Sequence, residues 1–278
     1  GSGAAQNKEF VHAGMEDQAL IRRVVISKRK QVAAERRTGR ETLRTHERLF
    51  TGESGERLCA LNTNNPCGKC VDCMVYGYAA GGGGAQKSRV ITDDAFSLHP
   101  ASAITATRTF NAPFEDTTPW DREREQRMTG LGADEYVKPE SFFVEIETLK
   151  DVTADEMRYV LGNILRTTRY GAISSRIGKV KNLLCGVAFS NCELFSNLEL
   201  TQAVYDRLKG GNDELEFPLE TDRVMEAVKH ASRSLSDRVV GRIEWLPEEE
   251  VTALQDELIA LYRDPDALAG MLDTMIYE

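Results

Sequence analysis

Residues 153–182 read TADEMRYVLGNILRTTRYGAISSRIGKVKN, and the fold turns on how this stretch divides. Thr153 and Glu156 stand in capping-box spacing, in which a hydroxyl and a carboxylate satisfy each other's backbone N–H groups at a helix start. Met157, Val160, Leu161, Ile164 and Leu165 then recur at i, i+3, i+4, i+7 and i+8, one apolar stripe suited to packing on a sheet. Arg166 and Arg169 fall in the expected last turn, where cations suit the helix dipole, and Gly171 is placed to end the helix. Upstream, Ser141–Leu149 is rich in aromatic and β-branched residues and partly alternates from Phe142 to Glu147, which predicts a strand. After Gly178, Lys179–Ser190 (KVKNLLCGVAFS) predicts a second, buried strand. The quoted stretch is therefore a helix and a glycine-bounded loop between two strands, the pattern of an α+β domain.

With 278 residues and 41% hydrophobic composition, the chain can bury a substantial core. No run approaches the roughly 18 apolar residues of a membrane span, and no charged start leads into an apolar signal region, so the expected setting is cytoplasmic and without a membrane partner. Gly1-Ser2-Gly3 reads as a tag remnant and is left out of the fold. A formal net charge of −9 argues at face value against a nucleic-acid partner. The distribution argues otherwise. Arg22 to Arg48 holds ten Lys or Arg against three Glu, residues 166–182 hold five positive side chains and no negative one, and residues 213–278 hold seventeen acidic against six basic residues. Such segregation points to a localised phosphate-binding surface drawing on Arg22, Arg23, Lys28, Arg29, Lys30, Arg36 and Arg37, with a solvated charged face as the plain alternative.

The loop itself has the chemistry to hold single-stranded RNA. Its glycines allow close approach of another backbone, Ser174 and Ser175 offer hydroxyls, Arg166, Arg169, Arg176, Lys179 and Lys181 offer charge, and Tyr170 can stack on a base. A tight turn with ordinary surface arginines would read the same way.

Four cysteines, Cys59, Cys67, Cys70 and Cys73, are spaced C-x7-C-x2-C-x2-C around the knuckle PCGKC. That spacing suits a closed tetrahedral zinc site, structural because four protein ligands leave no position for water. The C-x2-C-x2-C run also admits an iron–sulfur cluster, but its polar neighbours do not supply the dry setting one needs. His99 is an alternative fourth ligand to Cys59, whereas Cys185 and Cys192 read as core residues. Gly81–Ser88 nearly matches a nucleotide-binding P-loop, yet Gln86 replaces its second glycine and a strand, Arg89-Val90-Ile91, follows where a helix is required. It reads instead as a glycine loop bringing Lys87 and Arg89 near a phosphate. For catalysis the sequence offers only Asp93-Asp94, a paired carboxylate able to hold a divalent cation, or a polar strand end. Pro247 and Glu248–Glu250 start a helix with the stripe Val251, Leu254, Leu258 and Leu261, whose acidic face should point away from RNA.

A helix followed by Gly-x-x-Ser-Ser-Arg-x-Gly-Lys-Val resembles the glycine-rich signature of the repeat-associated mysterious proteins, the RRM-like superfamily of CRISPR RNA-binding subunits. SKRKQVAAERRTGRE at 27–41, the cysteine cluster, NAPFED at 111–116, YVLGNILRTTRYGA at 159–172 and LFSNLELTQAVYDRL at 194–208 resemble more closely the backbone subunit of the type I-D Cascade, the Cas seven (Csc two) family. The resemblance runs from about residue 18 to 208. It implies an RRM-like (ferredoxin-like) core with a zinc-knuckle insertion, a thumb hairpin and a helical C-terminal part. It places part of the core at 4–58, the knuckle and thumb at 59–140, the rest of the core at 141–208 and the acidic helices at 209–278. The thumb would reach over the RNA with Phe110, Asn111 and Phe114 as its wedge. Before the basic segment the family's first strand is not legible, so two readings stay open: the chain is shortened there, or Phe10-Val11 is a divergent remnant of that strand. The partners implied are a CRISPR guide RNA, a target nucleic acid (DNA rather than RNA), further copies of the chain along a filament, and other Cascade subunits. Two rival functions remain at this point: a metal-dependent nuclease using Asp93-Asp94, and a free-standing zinc-containing RNA-binding module.

Overall fold

A computed structural model describes residues 7–52, 55, 57–60, 65–81, 84–110, 120–121, 126–127, 132–170 and 178–277. In chain order the elements are β1 (Lys8–His12), β2 (Leu20–Ile26), α1 (Lys28–Thr45), α2 (Val71–Tyr76), β3 (Tyr78–Ala80), β4 (Gly84–Gln86), β5 (Val90–Thr92), β6 (Ala95–Pro100), α3 (Ala101–Ile104) and β7 (Thr105–Phe110). There follow β8 (Trp120–Asp121), β9 (Gln126–Arg127), β10 (Gly132–Val137), β11 (Phe143–Val144), β12 (Glu147–Leu149), α4 (Ala154–Arg166), β13 (Ala188–Ser190), α5 (Asn197–Lys209), α6 (Thr221–Ser236), β14 (Ile243–Trp245), α7 (Glu248–Arg263) and α8 (Pro265–Asp273). The mixed α+β composition expected from the sequence is thus observed. The chain divides into two compact units, residues 1–25, 96–144 and 198–227 in one and 26–95, 145–197 and 228–278 in the other.

In the first unit β1, β2, β6 and β11 form a four-stranded sheet in that order. A strand does precede the basic segment: β1 runs antiparallel to β2, with Phe10 opposite Arg22. Strand alternation then separates two neighbouring arginines. Arg22 is exposed and stacks over the Phe10 ring at 5.3 Å, whereas Arg23, 0% exposed, points inward beside Val24. Its guanidinium donates to the carbonyls of Ala13, Ser97 and Leu98 and lies over Tyr205, and burial pulls its pKa down to about 10. Arg23 is a core residue here, which corrects its assignment to the RNA surface. His99 is buried as well, bonded to the Glu216 carbonyl at 2.7 Å and edge-on to Phe217, so it serves this core and is no zinc ligand. β7 and β10 pair antiparallel from Thr105↔Val137 to Phe110↔Gly132.

In the second unit α1 packs against α4, over a core that includes Leu43, the four clustered cysteines, Val71, Val75, Tyr159, Val160, Leu268 and Leu272. The helices meet at Gly39, where a Cβ would stand 2.4 Å from Asn163 Nδ2 and 2.5 Å from the Tyr159 hydroxyl. Only glycine admits that approach. The capping box at the start of α4 forms as expected: Thr153 Oγ1 accepts from the Glu156 N–H at 3.2 Å and Glu156 Oε2 from the Thr153 N–H at 2.7 Å. Of the expected stripe, Val160 and Leu161 are buried and Met157, Ile164 and Leu165 half-buried, but Glu156, Tyr159 and Asn163 are buried with them. α7 starts behind Pro247 with Glu248–Glu250 in its first turn and buries Val251 and Leu258.

Three expectations are corrected. The strand Ser141–Leu149 is broken in two: β11 joins the four-stranded sheet and β12 pairs with β5, and between them the Ile146 N–H donates to Asn197 Oδ1 at 2.7 Å rather than to a strand. α4 ends at Arg166, earlier than expected, because Asn182 Nδ2 donates to the carbonyls of Ile164 and Thr167 (2.6 and 3.1 Å) and fixes the helix end there; Arg169 therefore lies beyond the helix. The strand expected at Lys179–Ser190 is reduced to β13, paired with β14. The Leu246 N–H still donates to the Val187 carbonyl at 2.9 Å at the end of that pairing, whereas nearer the loop the Val180 N–H donates to the Thr168 carbonyl at 2.9 Å, away from β14.

Candidate metal centre and nucleic-acid interface

The four cysteines converge. Cys59, Cys67, Cys70 and Cys73 are all buried, and their sulfurs lie within 4.8 Å of one another, with Cys59 and Cys73 at 3.5 Å. Zinc–sulfur bonds of about 2.3 Å in a tetrahedron set the sulfurs about 3.8 Å apart, so the donor set fits a four-thiolate metal site with little movement. Local sequence builds it. Gly68 takes a φ of 64° in the turn between Cys67 and Cys70, a left-handed conformation that favours glycine, and the Cys70 N–H is directed at Cys67 Sγ at 3.3 Å. Cys70 then caps α2, whose first turn presents Cys73. Hydrogen bonding among the sulfurs holds the thiols of Cys59 and Cys67 below their usual range and pushes Cys70 and Cys73 above it.

Behind the sulfurs lies an ion-pair network that sequence reading missed. Asp72, 0% exposed, accepts from Arg36 at 2.8 and 3.0 Å and from Arg40 at 2.6 Å. Arg40 also donates to the Cys59 carbonyl and approaches Cys59 Sγ at 3.6 Å. Burial alone would lower the Arg40 pKa, but the Asp72 carboxylate outweighs it and raises it above the usual arginine range. Arg36 is committed to Asp72 and the Gly77 carbonyl, so it belongs to this support and not to a phosphate surface. The spacing that could have disclosed the network is Arg36 to Arg40, one helical turn on α1.

The basic loop is framed by its stems. The Val180 N–H to Thr168 carbonyl bond and the Asn182 clamp bring Lys179 and Lys181 back to the end of α4, beside Arg166 and Arg169, and all four are exposed. Arg166 stacks over Tyr262 at 5.0 Å and donates to Thr42 Oγ1, which orients it. Thr167 Oγ1 meets Thr38 Oγ1 at 2.9 Å, so α1 with exposed Arg37 runs alongside, and Lys28, Arg29 and Lys30 stand exposed in its first turn. Lys87 is exposed beyond β4. Two further assignments change. Arg89 donates to the buried Glu156 and to the carbonyls of Met74 and Asp151, a structural role in place of phosphate contact. The Tyr170 hydroxyl donates to Glu35 Oε1 at 2.9 Å and accepts from Asn182 at 2.9 Å, which ties the ring down and makes it a support of the stem in place of a stacking platform. Ser174, Ser175, Arg176, Asn111 and Phe114 lie outside the described residues, as does the side chain of Phe110.

Asp93 and Asp94 follow β5, ahead of β6. Asp94 Oδ1 accepts from the Lys28 N–H at 2.8 Å at the start of α1, and no third His, Cys, Asp or Glu among the described residues joins the two. Carboxylates gather elsewhere: Glu35, Glu145 and Glu147 each bring an oxygen within 4.8 Å of the others. Burial pushes the Glu145 carboxyl up to about 8 and the Glu147 carboxyl well above the usual range, with the negative charge of Glu35 adding to both.

Nearly the whole chain is accounted for by comparison with known proteins. The crystal structure of Csc2 from Thermofilum pendens matches it with a TM-score of 0.58 at 17% identity, covering 96% of this chain and 80% of that one, which is a likeness of fold. No curated protein matches at a significant level. The family model described as Csc2 CRISPR matches residues 1–272, so both units and the cysteine centre fall within a single family, and the chain belongs to the Csc2 CRISPR family.

Proposed function

We propose that the chain is the guide-RNA-binding backbone subunit of a type I-D Cascade. Membership of the Csc2 CRISPR family implies a Cascade backbone subunit acting in CRISPR interference. The observation that carries the finer reading is the convergence of Arg166, Arg169, Lys179 and Lys181 at the two stems of one loop. Exposed cations at a helix end and a returning strand of backbone grip phosphates without reading bases, which is what a subunit repeated along a guide requires. In this reading the four-stranded sheet belongs to an RRM-like core, the β7–β10 hairpin is the thumb, and copies assemble through a heterologous interface that propagates along the RNA. The target that pairs with the guide is DNA. A zinc ion held by Cys59, Cys67, Cys70 and Cys73 is structural.

The test is binding of guide RNA to the Arg169→Ala/Lys179→Ala/Lys181→Ala variant. Each phosphate contact on a single strand contributes roughly −0.7 to the slope of log K against log salt, so losing three should flatten the slope by about 2, equally for guides of different sequence. A folded variant with parental affinity and parental salt slope would refute the reading.

A further inference from the structure

The carboxylates of Glu145 and Glu147, two residues apart, meet that of Glu35, distant in sequence, within 4.8 Å. Their burial is graded. Glu145 is exposed along part of its side chain, Glu147 is half-buried with both carboxylate oxygens shielded from solvent, and Glu35 is 0% exposed. No donor group among the described residues reaches either oxygen of Glu147 or Oε2 of Glu35, and the Glu147 and Glu35 carboxyls stand close enough to share a proton with each other. No ion pair to any of the three is formed among the described residues either, in contrast to Asp72, which takes two arginines. An uncompensated buried carboxylate costs several kcal/mol, and three together repel, so the arrangement is unfavourable unless something positive enters it.

The remaining oxygens are held in position. Tyr170 donates to Glu35 Oε1 at 2.9 Å, and Thr92 Oγ1 stands 3.0 Å from Glu145 Oε1. Such outer partners orient ligands and leave the other oxygens facing inward. Oxygen ligands bonded to one ion at about 2.1–2.5 Å lie about 3–5 Å from one another, the separation found here.

We propose that Glu35, Glu145 and Glu147 form a binding site for one hard divalent cation of the Mg²⁺, Mn²⁺ or Ca²⁺ class. The donor set is all oxygen, which separates it from the thiolate centre: hard cations take carboxylates and soft ones thiolates. Three carboxylates fill half of an octahedral shell, and the exposed side of Glu145 gives a hydrated ion its entry. The bound cation cross-links α1, through Glu35, to the segment that carries β12. This site is independent of the RNA-binding reading and stands or falls without it.

The experiment uses the full chain with its cysteine centre loaded with zinc, freed of other metals on a chelating resin, and titrated with MnCl₂ under electron paramagnetic resonance. The expected result is one Mn²⁺ per chain, displaced by Mg²⁺ and leaving zinc content unchanged. Glu147→Gln and Glu145→Gln should each weaken Mn²⁺ by about tenfold or more, since even outer partners of a metal are worth that much. Glu145→Gln sits at the exposed mouth and keeps the test open if Glu147→Gln folds poorly. Absence of a stoichiometric Mn²⁺ at millimolar concentration, as expected for carboxyls that only share protons, overturns the proposal. So does Mn²⁺ binding unchanged in both variants.

Discussion

The cysteine centre and the loop stems are both rich in arginine, and they use it in opposite ways. Around the cysteines, Arg36 and Arg40 are consumed inside the protein by one buried carboxylate, Asp72. At the stems, Arg166, Arg169, Lys179 and Lys181 keep exposed surface at the end of a helix. Charge counted along the chain cannot distinguish the two. Of the basic residues between Arg22 and Arg48, Arg23, Arg36 and Arg40 support the fold, while Arg22, Lys28, Arg29, Lys30 and Arg37 face outward. Position in an element decides: adjacent arginines on a strand take opposite faces, and arginines one turn apart on a helix share one.

Substitutions can break this contrast, because the first region should report in stability and the second in binding. The largest effect is expected for Cys70→Ser, which removes a central member of the buried thiolate set; the soluble folded yield should collapse, and metal content by elemental analysis should fall from about one zinc per chain to near none. Wild-type protein purified without chelator and free of metal would remove the zinc reading. Next comes Asp72→Ala. It leaves Arg40 buried without its carboxylate and should cost about 3–5 kcal/mol in denaturant unfolding; a loss under about 1 kcal/mol would mean that the network is ornamental. Gly39→Ala tests the α1–α4 approach, where the added methyl must displace Asn163 and Tyr159, and a loss of about 1–3 kcal/mol is expected. The smallest change in stability belongs to the triple stem variant Arg169→Ala/Lys179→Ala/Lys181→Ala. Its melting free energy should stay within about 0.5 kcal/mol per substituted site while its RNA affinity falls, and a fall in stability without one in affinity would invert the comparison.

What could be read from the sequence follows the range of the interactions involved. The capping box at Thr153, the α7 start at Pro247 and the four cysteines are written within a few residues of one another, and all are found as expected. The break at Glu145-Ile146 and the irregular run at 179–187 depend on Asn197, Asn182 and Thr168, whose side chains or carbonyls replace strand partners, and no local pattern announces that. The same holds for the two carboxylate environments. Asp94 reads locally as half of a pair and accepts the first N–H of α1; Glu35 on α1 and Glu145 and Glu147 at the start of β12 are brought together with no local spacing that links them.

The core around the cysteines also carries a consequence in time. Cys59, Cys67, Cys70 and Cys73 share it with Leu268, Met271 and Leu272 of α8, which leave the ribosome about two hundred residues later. At 5–20 residues per second that delay is roughly ten to forty seconds, during which the thiols are synthesised but not yet covered. In the zinc reading, a metal ion taken up in that interval would close a loop of only fifteen residues and shield the sulfurs from oxidation until α8 covers them. On that reading, metal supplied during translation, rather than afterwards, would set the yield of the folded chain.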